Sequence, residues 1–177
     1  MIWESWHWKK PLLDMARRLR KLKISGELSE EQLAQIERDI FIGFYSVRKL
    51  IETVTKVSDS AKTLQVKIGW FHNRKEVNWR NNHKIDDLYD LGKTNYETRD
   101  IIYICGRIIH SFIFVPVLDE SGLKAILFTS DTEKNKKLYS LEIDYVINIF
   151  ERIGNDNPTK ITWNKDPKTG EETTVVE

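Results

Sequence analysis

Residues 29–54, SEEQLAQIERDIFIGFYSVRKLIETV, place Leu33, Ile36, Ile40, Phe44, Val47, Ile51 and Val54 at steps of three and four, the spacing of one face of an α-helix. Ser29 followed three residues later by Gln32 has the form of a capping box, and Leu28 and Leu33 flank it as a hydrophobic staple. The pattern predicts one continuous helix over 29–57, the spine of the fold. Beyond it the period drops to two: Leu64, Val66, Ile68 and Trp70 alternate with polar residues or glycine, as do Val77 and Trp79. That change of period predicts an α+β chain, a long central amphipathic helix with two to three further helices packed against antiparallel β-hairpins.

Working outward, the first hairpin is expected to turn at His72-Asn73-Arg74-Lys75, with Trp70 and Trp79 on its inner face. Thr94 and Glu97 have the spacing of a second capping box, and Ile101, Ile102, Cys105, Ile108, Ile109 and Phe112 trace a helix face after it. The apolar runs 112–118 and 123–130 flank Asp119-Glu120-Ser121-Gly122 and read as a buried hairpin, with Pro116 at an edge or bulge because it has no N–H to donate. A strand over 137–142, a helix over 143–153 closed by Gly154-Asn155, and a terminal hairpin or tail around Asp166-Pro167-Lys168-Thr169-Gly170 complete the chain. The implied organisation is a Trp-rich basic helical segment at 1–24, a single domain at 25–157, and a hairpin or tail at 158–177.

Composition narrows the function classes. A hydrophobic share of 40%, 4 prolines and 8 glycines in 177 residues belong to a folded globular chain. A single cysteine, Cys105, permits no intramolecular disulfide; with no signal-like apolar run at the N-terminus, a reducing, cytoplasmic setting without membrane insertion is expected. The net charge of +1 conceals a basic start, since residues 1–24 hold seven Lys/Arg against two acids. The helical stripe Leu12, Met15, Leu19 and Leu22 there makes a basic amphipathic helix. Trp3, Trp6 and Trp8, with Arg17 and Arg20, are the candidate surface for a protein partner or a homo-oligomer, and loss of 1–24 is expected to leave the remainder folded.

Other candidates are chemical. In Trp70-Phe71-His72-Asn73-Arg74-Lys75 through Lys84, aromatic rings that can stack on bases alternate with cations that can hold phosphates. Trp70, His72, Arg74, Lys75, Arg80 and Lys84 are the candidate nucleic-acid contacts. His72 and His83 lack the cysteine or HExxH context of a metal site, and Asp86-Asp87-Leu88-Tyr89-Asp90 reads as a solvated helix start, so neither metal nor cofactor is expected. Cys105, on an apolar helix face, reads as packing. Arg107 and His110 are three residues apart on one helix face, where an imidazole beside a guanidinium can act on a phosphodiester. The structural alternative has His110 bonded to a carbonyl and Arg107 paired with Asp100 or Glu97.

The string Ile104-Cys105-Gly106-Arg107-Ile108-Ile109-His110-Ser111, with Phe44-Tyr45-Ser46-Val47-Arg48-Lys49-Leu50-Ile51-Glu52 on the long helix, resembles the HEPN superfamily over about a third of the chain. The resemblance implies a prokaryotic toxin or antiviral-defence setting and a metal-independent endoribonuclease using Arg107 and His110. The preferred expectation from the residues themselves is a non-enzymatic accessory protein that binds a partner or itself, with nucleic-acid binding or cleavage as the alternative.

Overall fold

The computed structural model describes residues 2–22, 28–120 and 122–177. Its elements run α1 (Trp6–Lys21), α2 (Glu30–Glu52), α3 (Asp59–Lys62), β1 (Gln65–His72), α4 (Ile85–Leu88), β2 (Asn95–Asp100), α5 (Ile101–Ile109), β3 (Ser111–Asp119), β4 (Gly122–Ser130), β5 (Lys137–Glu142), α6 (Ile143–Asn155), β6 (Ile161–Lys165) and β7 (Glu172–Val176). This is the expected α+β class. Five antiparallel strands form one sheet in the order β2-β1-β5-β4-β3, and β6-β7 form a separate hairpin. The α1, α2, α5 and α6 helices cover one face of the sheet, where Val66, Ile68, Ile126, Phe128 and Leu141 meet Leu12, Ile40, Phe44, Ile104, Val146 and Phe150. The connection 73–94 covers part of the other face, where Val77, Leu88 and Tyr89 pack with Ile113, Leu127 and Leu138.

The start of α2 is the expected one: Ser29 Oγ accepts from Gln32 N at 3.2 Å and Gln32 Oε1 accepts from Ser29 N at 2.9 Å. Its end is not. The helix stops at Glu52 rather than continuing to 57, because three β-branched residues follow in succession. Thr53 turns its hydroxyl back to Lys49 O at 2.7 Å, and Thr55 takes a positive φ of 71°. Val54 is accordingly exposed rather than part of the buried stripe. Gly43 is where α2 meets α6, since a Cβ there would sit 2.1 Å from the Phe150 ring.

The hairpin expected at 72–75 does not form. β1 pairs instead with β2 (Ile68 opposite Glu97) and with β5 (Trp70 opposite Tyr139). Residues 77–80 are not a strand: Val77 N donates to Asn135 Oδ1 at 2.7 Å, and Trp79 is 72% exposed instead of inward-facing. The helix cap expected at Thr94 lies before a strand, because Tyr96 and Thr98 extend the alternation along β2; the cap of α5 is Asp100, whose Oδ1 accepts from Tyr103 N at 2.7 Å. Phe112 accordingly belongs to β3. The β3–β4 hairpin, the strand over 137–142, the helix α6 and the terminal hairpin stand where the pattern placed them, and Pro116 sits on an edge strand.

The basic helix α1 begins earlier than expected, and its apolar stripe packs into the main core. Leu12, Met15, Ala16 and Leu19 belong to the main core, and Arg20 clasps Glu151 of α6 through two bonds of 2.6 and 2.9 Å. Lys9 is 1% exposed and donates to Asp156 O at the C-terminal end of α6, a cation on the negative end of a helix. The terminal hairpin is tied in by Val176 N, which donates to Asp59 Oδ2 at 3.0 Å.

Candidate functional site

At the C-terminal end of α5 the helix places Tyr103 and Arg107 one turn apart on a face turned away from the buried Ile101, Ile104, Cys105 and Ile108. Burial pushes the Cys105 thiol up, so it stays protonated packing. The Arg107 guanidinium lies 4.7 Å from the Tyr103 ring centre, and its Nη1 donates to Ser130 Oγ at 2.9 Å and Thr132 Oγ1 at 2.7 Å. It pairs with neither Asp100, which caps α5, nor Glu97, which is engaged elsewhere, so the acid partner expected for it is replaced by two hydroxyls. Around it opens a cleft of about 400 Å³ lined by Arg48, Tyr103, Arg107, His110, Ser130 and Thr132 among others. Arg48 and His110 also border a second depression of about 280 Å³, with Tyr45, Lys49, Glu52 and Ile109.

Arg107 and His110 therefore line one cleft. The His110 imidazole is exposed and has no hydrogen-bonding partner among the described residues, so the carbonyl bond expected for it is absent, and so is any group that would fix its tautomer. Of the carboxylates near the cleft, Glu52 is bound to Arg48 at 2.7 Å and Asp131 to Lys134 at 2.6 Å.

From this cleft a strip of cations and rings runs across the sheet edge. Arg99 of β2 stacks on Tyr103 at 4.7 Å, and Glu97 accepts from Arg99 Nε at 2.8 Å and from Lys137 Nζ at 2.5 Å. Lys137 of β5 lies 4.3 Å from the Trp70 ring, and Trp70 meets His72 edge-on at 4.6 Å. Beneath it the Tyr103 and Tyr139 hydroxyls are 2.7 Å apart, and burial followed by that bond pushes Tyr139 up. Burial works against the Glu97 charge, but the bonds from Arg99 and Lys137 outweigh it and hold the carboxyl below its ordinary range. The antiparallel register puts Trp70, Glu97, Arg99 and Tyr139 on the helix-bearing face.

Two of the sequence candidates for nucleic acid, Trp70 and His72, thus join Arg107 and His110 on one strip. The other four do not. Arg74 pairs with Asp90 at 2.6 Å, Arg80 lies over the exposed Trp79 at 5.0 Å, and Lys75 and Lys84 are exposed in the 73–94 connection. Sequence reasoning missed Arg99 and Lys137 as members of the site; the alternation Tyr96/Thr98 against Glu97/Arg99 was the signal that would have put Arg99 on a strand.

The partner candidates are split. Trp3 is 91% and Trp6 51% exposed, whereas Trp8 is half-buried against Tyr45 at 6.3 Å between ring centres. Arg17 is paired with Asp14 and Arg20 with Glu151. A larger depression of about 500 Å³ lies between α1 and α2, where Arg17 is paired with Asp14 and Arg18 with Asp39 at 2.8 Å. Among the described residues no group of three or more His, Cys, Asp or Glu side chains could hold a metal ion, and no helix is long and apolar enough to cross a membrane. Comparison with protein-family models, curated proteins and solved structures finds none that matches the chain.

Proposed function

We propose that this protein binds single-stranded nucleic acid along the Arg107-Tyr103-Arg99-Lys137-Trp70 strip. The observation that carries the reading is the alternation itself: three cations, two rings and one carboxylate shared between two of the cations, contributed by α5, β2, β5 and β1 and lying side by side on one surface. Cations in a row can neutralise phosphates, and Trp70, half-buried at the far end, offers an indole for a base to stack on. Duplex is the poorer ligand, since its bases are already stacked on one another.

The reading is binding rather than cleavage, because nothing in the described structure orients the His110 imidazole as an acid or base. Fluorescence anisotropy with a labelled oligouridine of about twelve nucleotides tests it. Binding is expected to weaken with salt at a log–log slope of about −2, three cations at about 0.7 each. It should fall at least about tenfold in Arg99→Gln/Lys137→Gln, the scale of one charge-assisted hydrogen bond to phosphate. Binding that ignores both salt and the double substitution sinks the reading. RNA degraded in excess EDTA by the wild type and left intact by His110→Ala would replace it with the ribonuclease reading.

A second reading rests on a different observation, the near-complete exposure of Trp3. An indole left in water at this cost supports a docking role for the N-terminus toward a partner protein or a second copy. A concentration-dependent mass in light scattering that is lost in Trp3→Ser/Trp6→Ser is the expected result for self-association; an unchanged monomer mass excludes the second copy.

A further inference from the structure

We infer that the Arg107 cleft is a receptor for a phosphomonoester, the terminal phosphate of the strand that lies on the strip. The inference rests on the nucleic-acid reading and adds to it which part of the ligand the cleft takes. The Ser130 and Thr132 hydroxyls each accept from Arg107 Nη1 and stand 3.1 Å from one another. Between them they carry two hydrogens. One closes the contact between the two oxygens; the other has no acceptor among the described residues, and both side chains line the cleft. Ser130 is only 3% exposed, so its oxygen is fixed by the sheet rather than free to turn to bulk water. Directly across the β3–β4 ladder from Ser130, the Ser111 hydroxyl is buried without a partner.

The charge balance points the same way. Arg107 is bound to no carboxylate, and its donors beyond Nη1 remain for a ligand, whereas the other charges of the cleft are matched, Arg48 by Glu52 and Asp131 by Lys134. The Tyr103 ring and the two hydroxyls hold the guanidinium plane in place before any ligand arrives, so little side-chain entropy is lost on binding. The guanidinium edge left free by Nη1 and the hydroxyl pair border one space, which the exposed His110 also lines. A guanidinium edge beside a hydroxyl donor suits the dianionic, three-oxygen end of a monoester; an internal diester presents only two non-bridging oxygens and one negative charge.

The test compares one single-stranded oligonucleotide with a 5′-phosphate, a 3′-phosphate or hydroxyls at both ends, bound to the full chain and to Arg107→Gln and the near-isosteric Thr132→Val. One of the phosphorylated ends is expected to bind about tenfold more tightly than the hydroxyl-ended strand, and which one sets the strand polarity. Thr132→Val should abolish that preference and leave the weaker binding in place, whereas Arg107→Gln should abolish it and also weaken the hydroxyl-ended strand, because Arg107 is one of the strip's three cations. Equal affinity for all three strands, with binding otherwise intact, overturns the terminal-phosphate inference and leaves the strip standing. Should no strand bind, the strip fails, and titration with inorganic phosphate decides the cleft: ¹H–¹⁵N shifts that saturate around Arg107 and vanish in both variants support the receptor, and no shift there overturns it.

Discussion

Glu97 shows how single residues hold the site together. Its carboxylate sits between Arg99 and Lys137, and their hydrogen bonds keep its folded-state pKa below the usual value of 4.5 despite burial. A carboxyl with a depressed folded pKa binds fewer protons folded than unfolded. Its stabilising contribution is therefore complete above about 4.5 and is lost as the pH falls through the folded value. Urea midpoints measured from neutral pH downward should show a shallower acid loss in Glu97→Gln than in the wild type over that window; parallel curves would mean that the carboxylate does not organise the strip. His110 behaves oppositely. Because its imidazole is exposed and unpartnered, His110→Ala should change stability by no more than about 0.5 kcal/mol, in contrast to the 1–3 kcal/mol that losing a buried partner costs.

At the scale of elements, local chemistry that was written in a few adjacent residues was legible and chemistry that depends on distant partners was not. The capping box at Ser29 and Gln32 fixed the start of α2, and Ser29→Ala should cost about 1 kcal/mol in denaturant unfolding. Alternation located β1 correctly but could not name its neighbours: the strand pairs with residues 95–100 and 137–140, tens of positions away, instead of with the nearer 76–80. The Thr94/Glu97 spacing imitated a cap, while Asp100 and Tyr103, at the same spacing, formed the real one. No periodicity marks Gly43, whose missing side chain admits Phe150. Gly43→Ala should destabilise by about 1–3 kcal/mol through overpacking. Combining it with Phe150→Leu should recover part of the loss, and simple additivity of the two would show that the contact is not the cause.

At the scale of the whole molecule, the basic charge of residues 1–24 suggested a separable arm, yet that helix fills the core beside α6 and its arginines are paired. Removing residues 1–22 should therefore abolish the cooperative thermal transition; a truncated chain with a sharp transition near the wild-type temperature would refute this placement. For the same reason the site was only half visible in the sequence: Arg107, His110, Trp70 and His72 stood out by type, but their common surface exists only because β2 and β5 flank β1 and bring Arg99 and Lys137 between them. The most direct measurement of that surface is photo-crosslinking of single-stranded RNA carrying 4-thiouridine to the full chain, with the modified peptides mapped by mass spectrometry. Crosslinks concentrated at Trp70 and Tyr103 are the expected result, and crosslinks confined to Trp3, Trp6 or the 73–94 connection would contradict it.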